Sequence, residues 1–316
     1  MKDMDNLFVL APSSEFVELA QERFRGMASV ELSRSSPRLS LDKWQLYPFQ
    51  SVSSTMDVGK FILKHEGQQF SGAIRCAGTL TGAAVDVYRL PAVIVGVEQT
   101  KGRGRDGKVW HSPPGGAYVS YVFSMPQENA SLTAFSLACS VAVVRTVRAF
   151  GVQAVVKWPN DVLAQKKDVT GYRKLSGILV EILTSGERAS GVIAGIGLNV
   201  ADAQIPPEGG AISLTELAGK NFELMQAVVE LTRNFICVVS EYLEHGFECL
   251  RQEWEQSSMM TGKMVRATVH GREVIGRVKG IADDGALILD DFGKEVIVIS
   301  GSIELIGGEF VDAVSN

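Results

Sequence analysis

Four stretches of this sequence hold side chains suited to gripping an anion and moving charge on it. The first is Gly102-Arg103-Gly104-Arg105-Asp106-Gly107-Lys108-Val109-Trp110, directly after the apolar run Val93 to Val97. Its glycines let the backbone approach a ligand and turn N–H groups toward it, while Lys101, Arg103, Arg105 and Lys108 outweigh Asp106. The second is Lys157-Trp158-Pro159-Asn160-Asp161, where Pro159 ends a strand and presents Lys157, Asn160 and Asp161 beyond it. Those groups suit phosphate and Mg2+, with Asp161 as the protein's carboxylate, because phosphate oxygens and water usually supply most of that cation's shell. In the third, Arg173-Lys174-Leu175-Ser176-Gly177, the Lys174 ammonium stands at a strand entrance where it could meet a phosphoryl group gaining charge. The fourth, Gly195-Ile196-Gly197-Leu198-Asn199, alternates glycines along a strand and so leaves a flat floor. Upstream, Ser54-Thr55-Met56-Asp57 reads as a capping box opening a helix, whose free N–H groups could also cradle a polar acceptor. Each stretch has a plainer reading as well: a solvated turn, a helix cap, a surface lysine, or close sheet packing.

Alternating strands and helices must hold these groups together. Strands are expected over Val93–Val97, Tyr118–Ser124, Val152–Trp158, Leu175–Leu183 and Gly191–Val200. The last two are separated only by residues 184–190, too few for a helical crossover, so they should pair antiparallel within a mixed or antiparallel sheet. Leu137, Val141, Val144 and Val147 mark one covering helix; Leu224, Val228, Leu231, Phe235, Val238 and Tyr242 mark a second. Beyond Thr261-Gly262 the texture changes to short strands, Met264–His270, Val274–Ile281, Ala286–Leu289 and Glu295–Ile299. Asp284-Gly285, His270-Gly271 and Phe292-Gly293 supply the turns. The expected class is α+β, a mixed β-sheet covered by helices, followed by a small SH3-like β-barrel. The boundaries expected are an N-terminal extension over 1–43, a catalytic unit over 44–260 and the small barrel over 261–316. Phe16 to Phe24 could form a short helix, and Ser33 to Pro37 reads as a linker.

Composition narrows the function. The chain has 316 residues, 46% apolar, with a net charge of −5, so a local basic cluster in an acidic chain points to one small anionic ligand and away from nucleic acid. No run approaches the length that spans a bilayer. Cys76, Cys139, Cys237 and Cys249 lie far apart without metal-ligand spacing, and residues 1–40 lack the pattern of a signal or transit peptide; a cytoplasmic location is expected. There is no P-loop, no Rossmann fingerprint, no Gly-x-Ser-x-Gly and no histidine cluster among His65, His111, His245 and His270.

Taken in order, the motifs resemble those of the biotin protein ligase family, in the form without an N-terminal helix-turn-helix. The matching segments are Ser53–Asp57, Glu98–Arg105 with Trp110, Lys157–Asp161, Arg173–Glu181 and Gly195–Asn199, and the resemblance runs from about residue 46 to 310. It implies a catalytic fold like that of class II aminoacyl-tRNA synthetases followed by an SH3-like domain. It implies biotin, ATP and Mg2+, with biotinyl-5′-AMP formed first and biotin then transferred to one lysine of a carrier domain. The implied partner is the biotin carboxyl carrier domain of acetyl-CoA carboxylase or a related carboxylase, and the enzyme would be a monomer or homodimer. By resemblance Ser54, Thr55, Gln99, Gly102 and Arg103 contact biotin over a floor of Gly177, Gly195 and Gly197. Arg105, Trp110, Lys157, Asn160, Lys174 and Asn199 face the adenylate or its phosphates, and Lys174, Arg105 and Arg103 assist the chemistry. The Lys101–Trp110 loop is expected to be a mobile lid that closes over the adenylate. This sequence departs from the family at Met56-Asp57, where other members often carry Asn-Gln, and in a longer Val162–Tyr172 connection. The alternatives are a lipoate protein ligase of related fold and chemistry, and a non-catalytic biotin-binding protein that keeps the pocket.

Overall fold

In the computed structural model, residues 9–10, 22, 44–65, 90–125, 131–167, 170–185, 188–201, 210–269 and 272–306 are described. The expectations for Phe16–Phe24 and Ser33–Pro37, for a helix-turn-helix, and for the His270-Gly271 turn fall outside them, as does part of the Val162–Tyr172 connection.

The strands run β1 (Val9–Leu10), β2 (Gln45–Val52), β3 (Ala92–Gln99), β4 (Gly116–Phe123), β5 (Val155–Lys157), β6 (Asp161–Ala164), β7 (Arg173–Ser185) and β8 (Arg188–Asn199). They form an eight-stranded sheet in the order β1-β2-β3-β4-β8-β7-β6-β5. Among the described strands of this sheet, β2 and β3 pair parallel and the remaining neighbours antiparallel, so the sheet is mixed. The long β7–β8 pair is antiparallel as its short connection requires, with Gly177 opposite Gly197 and Leu179 opposite Gly195.

Strand alternation sorts the side chains into two layers. Val93, Val95, Val119, Tyr121, Phe123, Ala194, Ile196 and Leu198 point to a core closed by helices α2 (Leu132–Ala149) and α4 (Leu224–His245). Tyr121 and Phe235 stack there with ring centroids 3.7 Å apart. Helix α2 has the length and apolarity of a bilayer span, yet 72% of it is buried in this core. Cys139 of α2 is fully buried, and burial pushes its thiol far up, leaving it an unreactive packing residue. Ala92, Ile94, Val122 and Ile193 face the opposite way, onto helix α1 (Thr55–Lys64) and its Met56, Val58 and Ile62. On the α1 side of the sheet Gly195 and Gly197 add no side chains of their own to this second, thinner layer.

Two expectations are corrected. Val152–Trp158 is not one strand: Gly151 at φ 79° ends α2, strand β5 is confined to Val155–Lys157, and a β6 that the reading missed returns from Asp161. Lys157 and Asp161 are ladder partners, so Trp158-Pro159-Asn160 is a hairpin turn and not a strand end. Ser54 does occupy the N-cap position of α1, but its side chain makes no capping bond. Tertiary contacts of Asp57, described below, replace the capping box.

A short helix α3 (Leu214–Ala218) and helix α5 (Glu248–Ser257) lead to the C-terminal strands β9 (Met264–Val269), β10 (Arg272–Ile281), β11 (Leu287–Asp291), β12 (Lys294–Val298) and β13 (Ser302–Leu305). They form a five-stranded antiparallel sheet in the order β12-β11-β10-β9-β13, matching the expected SH3-like texture with one strand, β13, added. Its core residues Val265, Ala267, Leu287, Leu289 and Ile303 join the same buried cluster as α2 and α4. The Asp284-Gly285 turn is the fastening point. The Asp284 carbonyl accepts from Ser131 Oγ at 2.7 Å and from the Ala134 N–H at 3.1 Å, at the start of α2. The Gly285 carbonyl accepts from the Trp158 indole N–H at 2.9 Å. Arg251 pairs with Asp283 alongside.

Candidate active site

The α1 face of the sheet, the Lys101–Trp110 loop, the β5–β6 turn and β13 enclose a cavity of about 930 Å3. Its lining includes Ser54, Thr55, Gln99, Arg103, Arg105, Trp110, Lys157, Asn160, Asp161, Lys174, Gly177, Gly195, Gly197 and Asn199. Every residue that the sequence assigned to biotin, the adenylate or the metal, except Gly102, therefore meets around one space, and buried Gly102 sits in its wall against Ser112 and the Trp110 carbonyl.

At one end the hydrogen bonds run in a fixed direction. Ser120 Oγ donates to Thr55 Oγ1 at 2.8 Å; the Thr55 N–H and hydroxyl both donate to Gln99 Oε1, at 2.9 and 3.2 Å. Gln99 Nε2 donates to Ser112 Oγ at 2.9 Å, and Ser112 Oγ donates to the Trp110 carbonyl at 2.9 Å. Both lone pairs of the Gln99 oxygen are thus taken, and its remaining amide hydrogen is what it offers a ligand. Among the described residues, Ser54 Oγ, buried, and Trp110 Nε1 have no hydrogen-bond partner, polar atoms of the kind that a bound molecule satisfies. Ser112 and Ser120 escaped the sequence reading because isolated serines carry no spacing signal. Tyr118, also lining the cavity, donates to the Pro113 carbonyl at 2.7 Å, and burial pushes its phenol up so that it stays a neutral donor.

The floor is built as expected but is covered by other residues than expected. A Cβ on Gly197 would lie 2.5 Å from Trp110 Nε1, and one on Gly177 2.8 Å from the same ring, so both glycines exist beneath the indole. A Cβ on Gly195 would meet Met56 Sδ at 2.5 Å. Gly197→Val should therefore drive the indole off the sheet and destabilise the fold by about 1–3 kcal/mol through overpacking. Urea titration and the emission maximum of the tryptophans check this; an unchanged midpoint and spectrum would contradict it.

The opposite end is cationic. Lys174 Nζ stands 2.8 Å from Asp161 Oδ1 and 5.2 Å from the Trp110 ring centroid, an arrangement that adds cation–π attraction to the ion pair. Asp161 Oδ1 has no directed hydrogen bond besides that pair. The backbone of Lys174 is held on both sides, by its N–H to the Gly210 carbonyl at 2.7 Å and by Ile212 N–H to its own carbonyl at 2.9 Å. Asn199, expected to face the ligand, spends its amide hydrogens on the Lys174 and Ile212 carbonyls, each at 3.2 Å, and so positions the lysine. Asn160 Nδ2 donates to the Ile178 carbonyl at 3.0 Å and its Oδ1 accepts from Arg105 Nη1 at 3.2 Å. Arg103 diverges from Arg105: its guanidinium reaches Asp57 Oδ1 at 2.6 Å, on the α1 side.

The loop itself is a tight hairpin. Arg103 bridges Val109, Gly104 N–H donates to the Lys108 carbonyl at 2.7 Å, and Trp110 N–H to the Gly102 carbonyl at 3.0 Å. Its tip turns through Asp106 at φ 56° and Gly107 at φ 75°.

The sequence model of the biotin/lipoate A/B protein ligase family matches residues 84–199, which contain the loop, the β5–β6 turn, Lys174 and the glycine floor. Over that stretch the chain is similar to this family. The biotin protein ligase C-terminal domain matches residues 261–306, the small sheet. Among relatives of this ligase family, the bifunctional ligase/repressor BirA of Bacillus subtilis is 32% identical, over 67% of this chain and 66% of its own length. The chain thus spans just under two thirds of that relative. Biotin--[acetyl-CoA-carboxylase] ligase of Paracoccus denitrificans is 29% identical over 71% of this chain and 92% of its own. The biotin protein ligase from Aquifex aeolicus in complex with biotin and ATP superposes with a TM-score of 0.63 at 22% identity, covering 83% of this chain and 98% of that one, and shares the fold.

Proposed function

We propose that this protein is a biotin protein ligase: it activates biotin with Mg-ATP to biotinyl-5′-AMP and transfers biotin to a lysine of a carboxylase's biotin carboxyl carrier domain. The observation that carries the reading is a cavity that joins a polar, hydrogen-bonding end at Thr55 and Gln99 to a cationic end at Arg105 and Lys174. A ligand with a small polar ring at one end and a carboxylate at the other spans such a space. The same reading makes the location cytoplasmic, where ATP is made available and thiols such as Cys139 stay reduced.

In the first step a biotin carboxylate oxygen attacks the α-phosphorus, a P–O bond forms, and the bond to the leaving pyrophosphate breaks. Two anions must meet, so positioned cations contribute most: Lys174 to the α-phosphate, Arg105 to the adenylate phosphate. Ser54, Thr55, Gln99 and the Gly102–Arg103 backbone hold the biotin end, above Gly177, Gly195 and Gly197. Trp110, Lys157 and Asn160 hold the nucleotide side. For Mg2+, no group of three or more His, Cys, Asp or Glu side chains gathers among the described residues. The Asp161 carboxylate suits a cation that takes most of its oxygens from phosphate and water, and when bound that cation would neutralise phosphate charge. In the second step the carrier lysine, as its neutral amine, attacks the acyl carbon, the C–O bond to AMP breaks, and the amine proton leaves with solvent.

The loop closes over the adenylate and keeps water from it. Arg105→Gly, which removes a charge-assisted bond, should speed biotinyl-5′-AMP release about 10- to 100-fold, read by chasing labelled adenylate off the protein. Unchanged retention would refute the lid. A lipoate protein ligase is the second reading. ATP-dependent adenylate formation with biotin and lipoate side by side decides between them, since the proposal requires activity with biotin and little with lipoate.

A further inference from the structure

We infer that Asp57 is a positioning residue for the lid, fixing the Arg103 side chain to helix α1 so that Arg103 anchors the loop stem and does not touch phosphate. This rests on the ligase reading only for its consequence in catalysis; the anchor itself is geometric.

Arg103 and Arg105 stand two residues apart in one hairpin and point to different partners. Arg105 has no carboxylate in ion-pair range among the described residues and donates to Asn160 on the β5–β6 turn. Arg103 Nη2 lies 2.6 Å from Asp57 Oδ1 and 4.0 Å from Glu181 Oε1, and Lys60 Nζ lies 2.7 Å from Glu181 Oε2. The four groups link α1, the loop stem and β7 with two cations against two carboxylates. The pairing commits the Arg103 side chain to α1 and β7 before any ligand arrives. Backbone contacts reinforce the same stem: Arg103 bridges Val109, and Gly102 is packed against the Trp110 carbonyl. The hinge of the lid is then the tip, Arg105 to Lys108, while the stem stays on α1. The residue that does this, Asp57, belongs with Met56 to the pair at which the sequence departs from the resemblance.

The test is a double-mutant cycle, Asp57→Asn, Arg103→Gln and both together, read first by tryptic cleavage after Arg105 and Lys108 in the full chain without substrates. Each single change should raise cleavage about two- to fivefold, because a stem released from α1 lets the tip extend into the protease, and the gain is modest because the pair is partly exposed. The double variant should cleave no faster than the singles, Asp57→Glu should restore slow cutting, and the differences should shrink near 0.5 M salt. Asp57→Asn should also raise the KM for biotin and hasten adenylate escape while the KM for ATP stays within about twofold. Unchanged cleavage in Asp57→Asn, additive effects in the double variant, or an ATP KM raised about tenfold by Arg103→Gln alone would overturn the inference. A wild-type protein that forms no adenylate would instead defeat the ligase reading, and the cleavage cycle would still judge the anchor.

Discussion

Replacing Lys174 with Gln is expected to slow adenylate formation by about 100- to 1,000-fold while leaving biotin affinity within a few-fold. The size follows from how firmly the ammonium is aimed. Its backbone is pinned by Gly210 and Ile212, its carbonyl by Asn199, and its Nζ rests between Asp161 and the face of Trp110. A donor held in that way needs no reorganisation when charge builds on the α-phosphate, which is where preorganised groups gain most. Arg at this position keeps the charge, but the longer planar fork shifts it, so Lys174→Arg should recover only part of the rate. Single-turnover measurement of biotinyl-5′-AMP checks both variants. A rate within tenfold of wild type for Gln would mean that another group carries the transition-state charge.

Trp158→Ala should cost about 3–5 kcal/mol of folding stability, the penalty for emptying the space of a large core side chain. Trp158 is 1% exposed and sits in the turn that also bears Asn160 and leads to Asp161. It ties that turn to the C-terminal sheet through its indole N–H on Gly285, beside the Asp284 carbonyl that serves α2. Trp158→Phe keeps most of the packing and removes only the N–H, leaving the Gly285 carbonyl unpaired at about 1–3 kcal/mol. Denaturant titrations of the two variants separate volume from hydrogen bond. Equal losses for Ala and Phe would show that the packing around Trp158 contributes nothing beyond the bond.

The strands and helices that the sequence revealed are those whose pattern is long and regular. Val93–Val97, Leu175–Leu183 and the Leu224 to Tyr242 stripe announce their period directly. The missed strands are short or interrupted: β2 carries Pro48 at its centre, tolerated because, among the described residues, β1 pairs only with Ser51 and Val52 and leaves Pro48 unpaired on that edge. β6 and β13 have four residues each, too few for alternation to be read. The site was legible as motifs, since Gly, Lys, Arg and Asn at turns are chemically conspicuous. What escaped was pairing across the chain. Asp57 looked like the far half of a capping box because Ser54 stands three residues before it, yet 46 residues later Arg103 claims it. Gly195 and Gly197 announced a flat floor, and the resemblance added Gly177, but only the folded loop reveals that Trp110 lies on Gly177 and Gly197. The domain limits 1–43, 44–260 and 261–316 remain our proposal, with the Asp284-Gly285 turn as the joint.

The central claim is tested most directly by incubating the protein with biotin, ATP, Mg2+ and a biotin carboxyl carrier domain, then detecting biotin on the carrier by mass spectrometry. The ligase reading predicts one biotinyl-lysine per carrier domain, dependent on ATP and absent with Lys174→Gln on the same timescale. A carrier left unmodified under conditions where the protein demonstrably binds biotin would contradict it and leave a binding protein without transfer activity.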